Sequence, residues 1–169
     1  MLIRNGRLAG DEFTAVTDGE ALPEGAAIVS LKRFLVERET LLARKQPLGV
    51  RLETGESPEA LSPDFGRLAL VVLHVPHFKD GRAFSSARLL RTRLGYRGEI
   101  RLTGHFLIDQ IAFFTRVGVD AFAFQRNIPL AEIQSALTEI SYFYQPSVDG
   151  RVTIRDLRLR APDHAASPS

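Results

Sequence analysis

The residues able to do chemistry in this chain are arginines, short polar turns and the histidines His77 and His105, gathered between Leu68 and Phe124. In HFKDGRAFSS, Asp80 and Gly81 form a tight turn from which Arg82 projects, and Ser85 or Ser86 is expected to cap the helix that follows. Free helix N–H groups, hydroxyls and a guanidinium together hold a phosphate, sulfate or carboxylate. The competing reading makes Asp80-Gly81 a turn and Ser85 a cap, and nothing more. In RLTGHFLIDQ, Gly104 lets a ligand or another backbone come close, while Asp109 and Gln110 fall in the first turns of a helix. Arg116 lies along nearly the same line of that helix as Asp109, but two turns or about 10 Å away, so each needs another partner. An ion-pair lattice between helices competes here with a catalytic carboxylate.

The arginines Arg82, Arg88, Arg91, Arg93, Arg97, Arg101 and Arg116 are answered by few local acids, Asp80, Glu99 and Asp109 among them. A small anion or an acidic protein patch is therefore the expected partner, with Arg82, Ser85, Arg88, Arg91, Arg101, Gly104, Gln110 and Arg116 as the binding set. The catalytic candidates are Asp80, His105 and Asp109. His77 and His105 leave the ends of successive strands and could converge as acid and base, whereas His74 reads as a core residue. The histidines form no metal motif, and HExxH, Walker and GxGxxG patterns are all missing, so no metal is expected and no cofactor is indicated.

These residues need a scaffold, and 169 residues with 44% hydrophobic and 25% charged content suffice for one globular domain. The net charge of +2 does not steer the chain toward nucleic acid or an acidic membrane. Few aromatics are interleaved with the basic residues, so neither nucleic acid nor membrane is expected as a partner. The absence of cysteine excludes disulfides, thiolate nucleophiles and cysteine-held metal, so any redox role would need a borrowed flavin or nicotinamide. MLIRNGRLAG lacks the apolar core of a signal peptide, and the longest apolar run is far short of the roughly 20 residues that cross a bilayer. A cytoplasmic protein is expected.

Residues 1–25 read as a hairpin or arm of the same domain, built from LIR and EFTAV around turn signals, and the bland role for it is to cover a sheet edge. The α/β domain proper is expected over 26–156. AAIVS predicts a strand and LKRFLVERETLLAR a helix with Leu31, Phe34, Leu35, Leu41 and Leu42 in one stripe, capped by Ser30. LGVRLET is a second strand, SPEALSPDFGR one or two helical turns, and LALVVLHV a strand at the sheet centre, because it is apolar on both faces. A helix with Ala87, Leu90 and Leu94 inward, the strand EIRLTG, a helix with Leu107, Ile111 and Phe114 on one side, and the strand DAFAF follow. Pro129 opens a last helix carrying Leu130, Ile133, Leu137, Ile140 and Tyr144, Pro146 stops it, VDGRVTIRDL is an edge strand or lies across a barrel end, and 157–169 reads as a disordered tail. The alternation predicts an α/β fold with a mainly parallel sheet, either open and doubly wound or half of a β/α barrel. A half-barrel with bare apolar sheet would be expected to form a homodimer.

The segments DGR-x-x-S-x-A-R-x-L-R (Asp80 to Arg91) and G-E-I-R (Gly98 to Arg101), with IVSLKRFL, PLGVRLETGE and YQPSVDGR around them, resemble the bacterial domain of unknown function 934 family. The likeness runs over nearly the whole chain. That family is described as an oxidoreductase involved in sulfite reduction, a description resting on its association with sulfate-assimilation genes. His105 stands where the family often has an acidic residue, and Val119 where it often has an aromatic one. The resemblance implies an accessory protein of assimilatory sulfate and sulfite reduction, with sulfite reductase or another sulfur-assimilation protein as its partner. The alternative it leaves is an enzyme acting on a small sulfur-oxyanion or phosphorylated substrate through Asp80, Arg82, His105 and Asp109.

Overall fold

The computed structural model describes residues 1–138. Strands β1 (Leu2–Arg4) and β2 (Arg7–Ala9) form a hairpin around Asn5 and Gly6, as the turn signal predicts. β3 (Phe13–Ala15) is not part of that hairpin: it pairs in parallel with β4 (Ala26–Ser30). β5 (Leu48–Leu52), β6 (Leu68–Val75), β7 (Glu99–Gly104) and β8 (Ala121–Ala123) continue the parallel ladder, and β1 closes on β8 antiparallel. The order is β2-β1-β8-β7-β6-β5-β4-β3, so β2 and β3, neighbours in sequence, stand at opposite edges of the sheet. Residues 10–12 alone join them. At roughly 3.5 Å per residue the chain from Ala9 to Phe13 reaches at most about 14 Å, which brings the two edges that close and curls the sheet into a half-barrel.

The helices decide between the two architectures the sequence left open. They are α1 (Leu31–Val36), α2 (Arg38–Leu42), α3 (Arg82–Arg88, continued by a π turn over Leu89–Arg93), α4 (Ile111–Arg116) and α5 (Leu130–Thr138), with 3-10 turns at Pro58–Asp64 and Ile108–Gln110. Their buried residues, Phe34, Leu41, Leu61, Ala87, Leu90, Ile111, Phe114 and Ile133 among them, join one core with Val29, Val50, Val71, Leu73, Ile100 and Leu102 from the convex strand face. The concave face holds a separate small cluster, Ile28, Leu70 and Val72 with Phe13, drawn from strands alone. A doubly wound sheet would carry helices on both faces. Here they flank one, and each large apolar side chain buried beneath them contributes about 1.5–3 kcal/mol.

The residues of the concave cluster are buried, Ile28 at 8%, Leu70 at 0% and Val72 at 2% exposure. Gly49 sits in the tightest part, where a Cβ would lie 3.2 Å from both Ile28 and Leu70. Local departures have local causes. The expected helix after Ser30 breaks at Glu37 (φ −102°), and Leu35, beyond the turn that packs, is 50% exposed rather than in the stripe. Ser30 does cap α1, its Oγ accepting from the Arg33 amide at 3.0 Å. Leu107 precedes the 3-10 turn and faces outward, leaving Ile111 and Phe114 to pack. The expected Ile140, Tyr144, VDGRVTIRDL and tail positions lie outside the described residues.

One backbone constraint sets the strand-end geometry. Gly104 has φ +96°, and a Cβ there would overlap the Val75 carbonyl oxygen on the neighbouring strand. Gly104→Ala is expected to lower stability by roughly 2–4 kcal/mol, read as a lower midpoint in urea denaturation at unchanged m-value.

Candidate functional site

Parallel pairing places the C-terminal ends of β5 to β8 along one rim, with Leu52 beside Leu73, Val75 beside Gly104 and Leu102 beside Phe122. Among the described residues, two recesses are lined by the loops and helix starts that follow these ends. The first lies over β5 and β6 and is lined by Glu53, Thr54, Gly55, His74, Arg82 and Ser86. It encloses only about 10 Å³, barely the room one water needs.

The Arg82 guanidinium at this recess already has an anion. Asp80 accepts from Arg82 Nε at 3.0 Å, from Nη2 at 2.9 Å and from the Arg82 amide at 3.1 Å. The Asp80 carboxyl is held down to about 2, first by the Arg82 side chain and then by the Arg82 backbone N–H. α3 begins at Arg82 with Gly81 as its N-cap, so Ser85 and Ser86 lie inside the helix and neither caps it. Asp80 takes over that work, because a carboxylate two residues upstream reaches the free amide. Ser85 is exposed and outside the recess, whereas Ser86 lines it.

The second recess is a cleft of about 600 Å³ over the ends of β7 and β8. One wall is Gly104 to Asp109, the other Phe124, Gln125, Arg126 and Ile128, with Glu132 from the first turn of α5. His105 and Asp109 therefore share a site, and both are exposed in it. Gln125, Arg126 and Glu132 escaped the sequence reading. The signal that finds Gln125 and Arg126 is positional, since they leave the end of a parallel strand as His105 does, whereas Glu132 is brought in by the start of α5. The cleft is apolar at Phe106, Leu107, Phe124 and Ile128, and its charges are one guanidinium against two carboxylates.

Gln110 ties the rim together rather than pointing into it. Its Nε2 donates to the Phe78 carbonyl and its Oε1 accepts from the Leu107 amide, each at 3.0 Å. His77 is exposed and lines neither recess, whereas His105 lines the larger one. His74 meets Thr103, Nδ1 to Oγ1 at 3.2 Å. Among the described residues no group of three His, Asp or Glu side chains is placed to hold a metal ion.

The remaining arginines are dispersed. Arg88 is exposed on α3, and Arg116 is buried at the end of α4. Arg91 sits at the opposite end of the sheet, donating to the carbonyls of Gly118, Tyr96 and Gly98 at 2.9, 2.7 and 2.8 Å and pairing with Asp120. Burial pushes the Asp120 carboxyl up, against the Ile100 amide and Arg91, which favour its charged form. Arg101 lies on the concave face, 2% exposed. The expected set thus divides between the rim, the helix layer and the interior of the curl.

A curled, mainly parallel sheet with helices on its convex side and a cleft at the strand ends defines an α/β half-barrel with a recess of ligand or side-chain size. The chain belongs to the family described as bacterial protein of unknown function (DUF934), whose model matches residues 49–155 and so takes in both recesses. Comparison with curated proteins gives no match. Among the described residues no helix is long and apolar enough to cross a membrane.

The Asp80–Arg82 pair makes a pH-dependent expectation. The folded carboxyl titrates below the ordinary aspartate value of about 3.9, so the pair contributes stability above that pH and loses it as pH falls toward 2. In Arg82→Ala, carboxyl-detected NMR titration should find Asp80 moved back up toward the ordinary value, with the fold retained.

Proposed function

We propose that this protein is an accessory protein of sulfate and sulfite assimilation whose strand-end rim docks a protein of the sulfite-reducing machinery. The observation that carries this reading is the character of the rim. Its large cleft is flanked by exposed apolar side chains, Phe78, Leu107 and Leu130, from the segments that follow β6, β7 and β8. Apolar anchors beside mixed charges suit a partner surface, where buried aliphatic and aromatic groups supply affinity and polar groups set register. A free oxyanion is served poorly there, because Arg82 is neutralised by Asp80, and Arg126 shares its cleft with Asp109 and Glu132. The association with sulfite reduction comes from the family resemblance.

The enzyme reading needs Asp80, Arg82, His105 and Asp109 in one pocket. Arg82 lines the small recess and His105 and Asp109 the large one, with the Gln110–Phe78 bond joining the loops between them. The docking reading is therefore the better supported. Tagged protein is expected to co-precipitate the assimilatory sulfite reductase from cells growing on sulfate. Leu107→Asp and Arg126→Glu should each weaken that capture by roughly tenfold without unfolding the chain. Normal growth on sulfate after gene deletion, together with no co-precipitation, overturns the reading.

A further inference from the structure

The concave face carries a charged rung that the rim does not use. Strand register aligns Arg51, Val72, Arg101, Ala121 and Arg4 across β5, β6, β7, β8 and β1, so three guanidinium groups share one row, separated by two smaller apolar residues. Three carboxylates answer them. Glu53 pairs with Arg51 at 2.8 Å, and Glu99 bridges Arg4 (2.7 Å) and Arg101 (2.9 Å). The third, Asp11, is not on a strand: it belongs to the short 10–12 linker that joins the two edges of the sheet. Its carboxylate accepts from Arg101 Nη1 at 2.8 and 3.0 Å.

Arg101 is 2% exposed, with the Phe13 ring centroid 5.6 Å from its Cζ, and yet its Nη2 is buried without a hydrogen-bond partner. A buried guanidinium is costly, and apolar replacements of such groups are often neutral or stabilising. Leaving one of its donor nitrogens unmatched adds to the cost. The engagement of Nη1 beside an empty Nη2 is half of the two-pronged geometry in which arginine holds an oxyanion. Asp11 occupies that prong from an exposed linker, as a tethered stand-in would.

We propose that Arg101 is the centre of a small-oxyanion site on the concave face, and that the Asp11 carboxylate blocks it until the 10–12 linker lifts. With the linker in place the rung is neutral. With Asp11 withdrawn, three guanidinium groups face two carboxylates, and one positive charge remains for an incoming sulfate, phosphate or ligand carboxylate. This site is independent of the rim.

Asp11→Asn tests it, since the amide keeps the shape and the Oδ1 contact to the Phe13 amide but removes the competing charge. Calorimetric titration with sodium sulfate, phosphate and acetate at constant ionic strength should find at least tenfold tighter binding of one of them to Asp11→Asn than to the unaltered protein. The Arg101 Nε–H signal, followed by 15N NMR, should shift on the same titration, a readout that needs no Arg101 substitution. Arg126→Glu should leave the affinity unchanged, which separates this site from the rim. Equal affinity of Asp11→Asn and unaltered protein for all three anions overturns the proposal, as does tighter binding that leaves the Arg101 signal unmoved.

Discussion

Putting every described helix on the convex side of a sheet leaves the concave side for the chain to cover by other means. Curvature is one such means. Ile28, Leu70 and Val72 are buried on the concave face, Gly49 leaves room between Ile28 and Leu70, and the 10–12 linker holds the two edges of the sheet within reach. The buried Arg101 then acts as a tie across the opening, gripping Glu99 on its own strand and Asp11 on the linker. Curvature and tie go together, because a flat sheet would carry Asp11 away from Arg101 and leave the guanidinium with Glu99 as its carboxylate partner.

The rest of the molecule follows from the same asymmetry. Strand C-termini and their loops are one surface the fold offers to other molecules, as in other parallel α/β proteins. Gly104 sets the β6–β7 separation there, and Gln110 pins the loops after those strands to one another. The cleft over β7 and β8 is the roomier of the two recesses, and the smaller one is lined by the Arg82 that Asp80 pairs with.

Arginine does two kinds of work in this chain. Several guanidinium groups gather backbone carbonyls left over at loop ends: Arg44 takes those of Pro23 and Gly25, Arg67 those of Leu42 and Arg44, and Arg91 those of Gly118, Tyr96 and Gly98. A five-donor planar group suits this, since it satisfies carbonyls from segments far apart in sequence. An abundance of arginine is therefore a poor guide to an anion-binding surface. Only contact geometry separates the arginines that hold the fold from those with donors to spare.

Periodicity and turn chemistry determine the element order from the sequence alone. LALVVLHV reads as a central strand because both its faces are apolar, Ser30 as a cap because it precedes a helical stripe, and Gly95 and Gly118 as helix exits because only glycine takes their positive φ without strain. The tertiary structure decided which strand edge each N-terminal piece joins, sending β3 to the far side from its sequence neighbour β2. It also decided that the sheet curls, that Asp80 rather than Ser85 serves the start of α3, and that Arg101 points inward. Local spacing carries the period of a strand or helix, because that period is set by neighbouring dihedrals. It carries neither the side of the sheet on which a crossover lands nor the distant carboxylate a guanidinium will meet, since both are fixed by contacts between segments as far apart as Asp11 and Arg101.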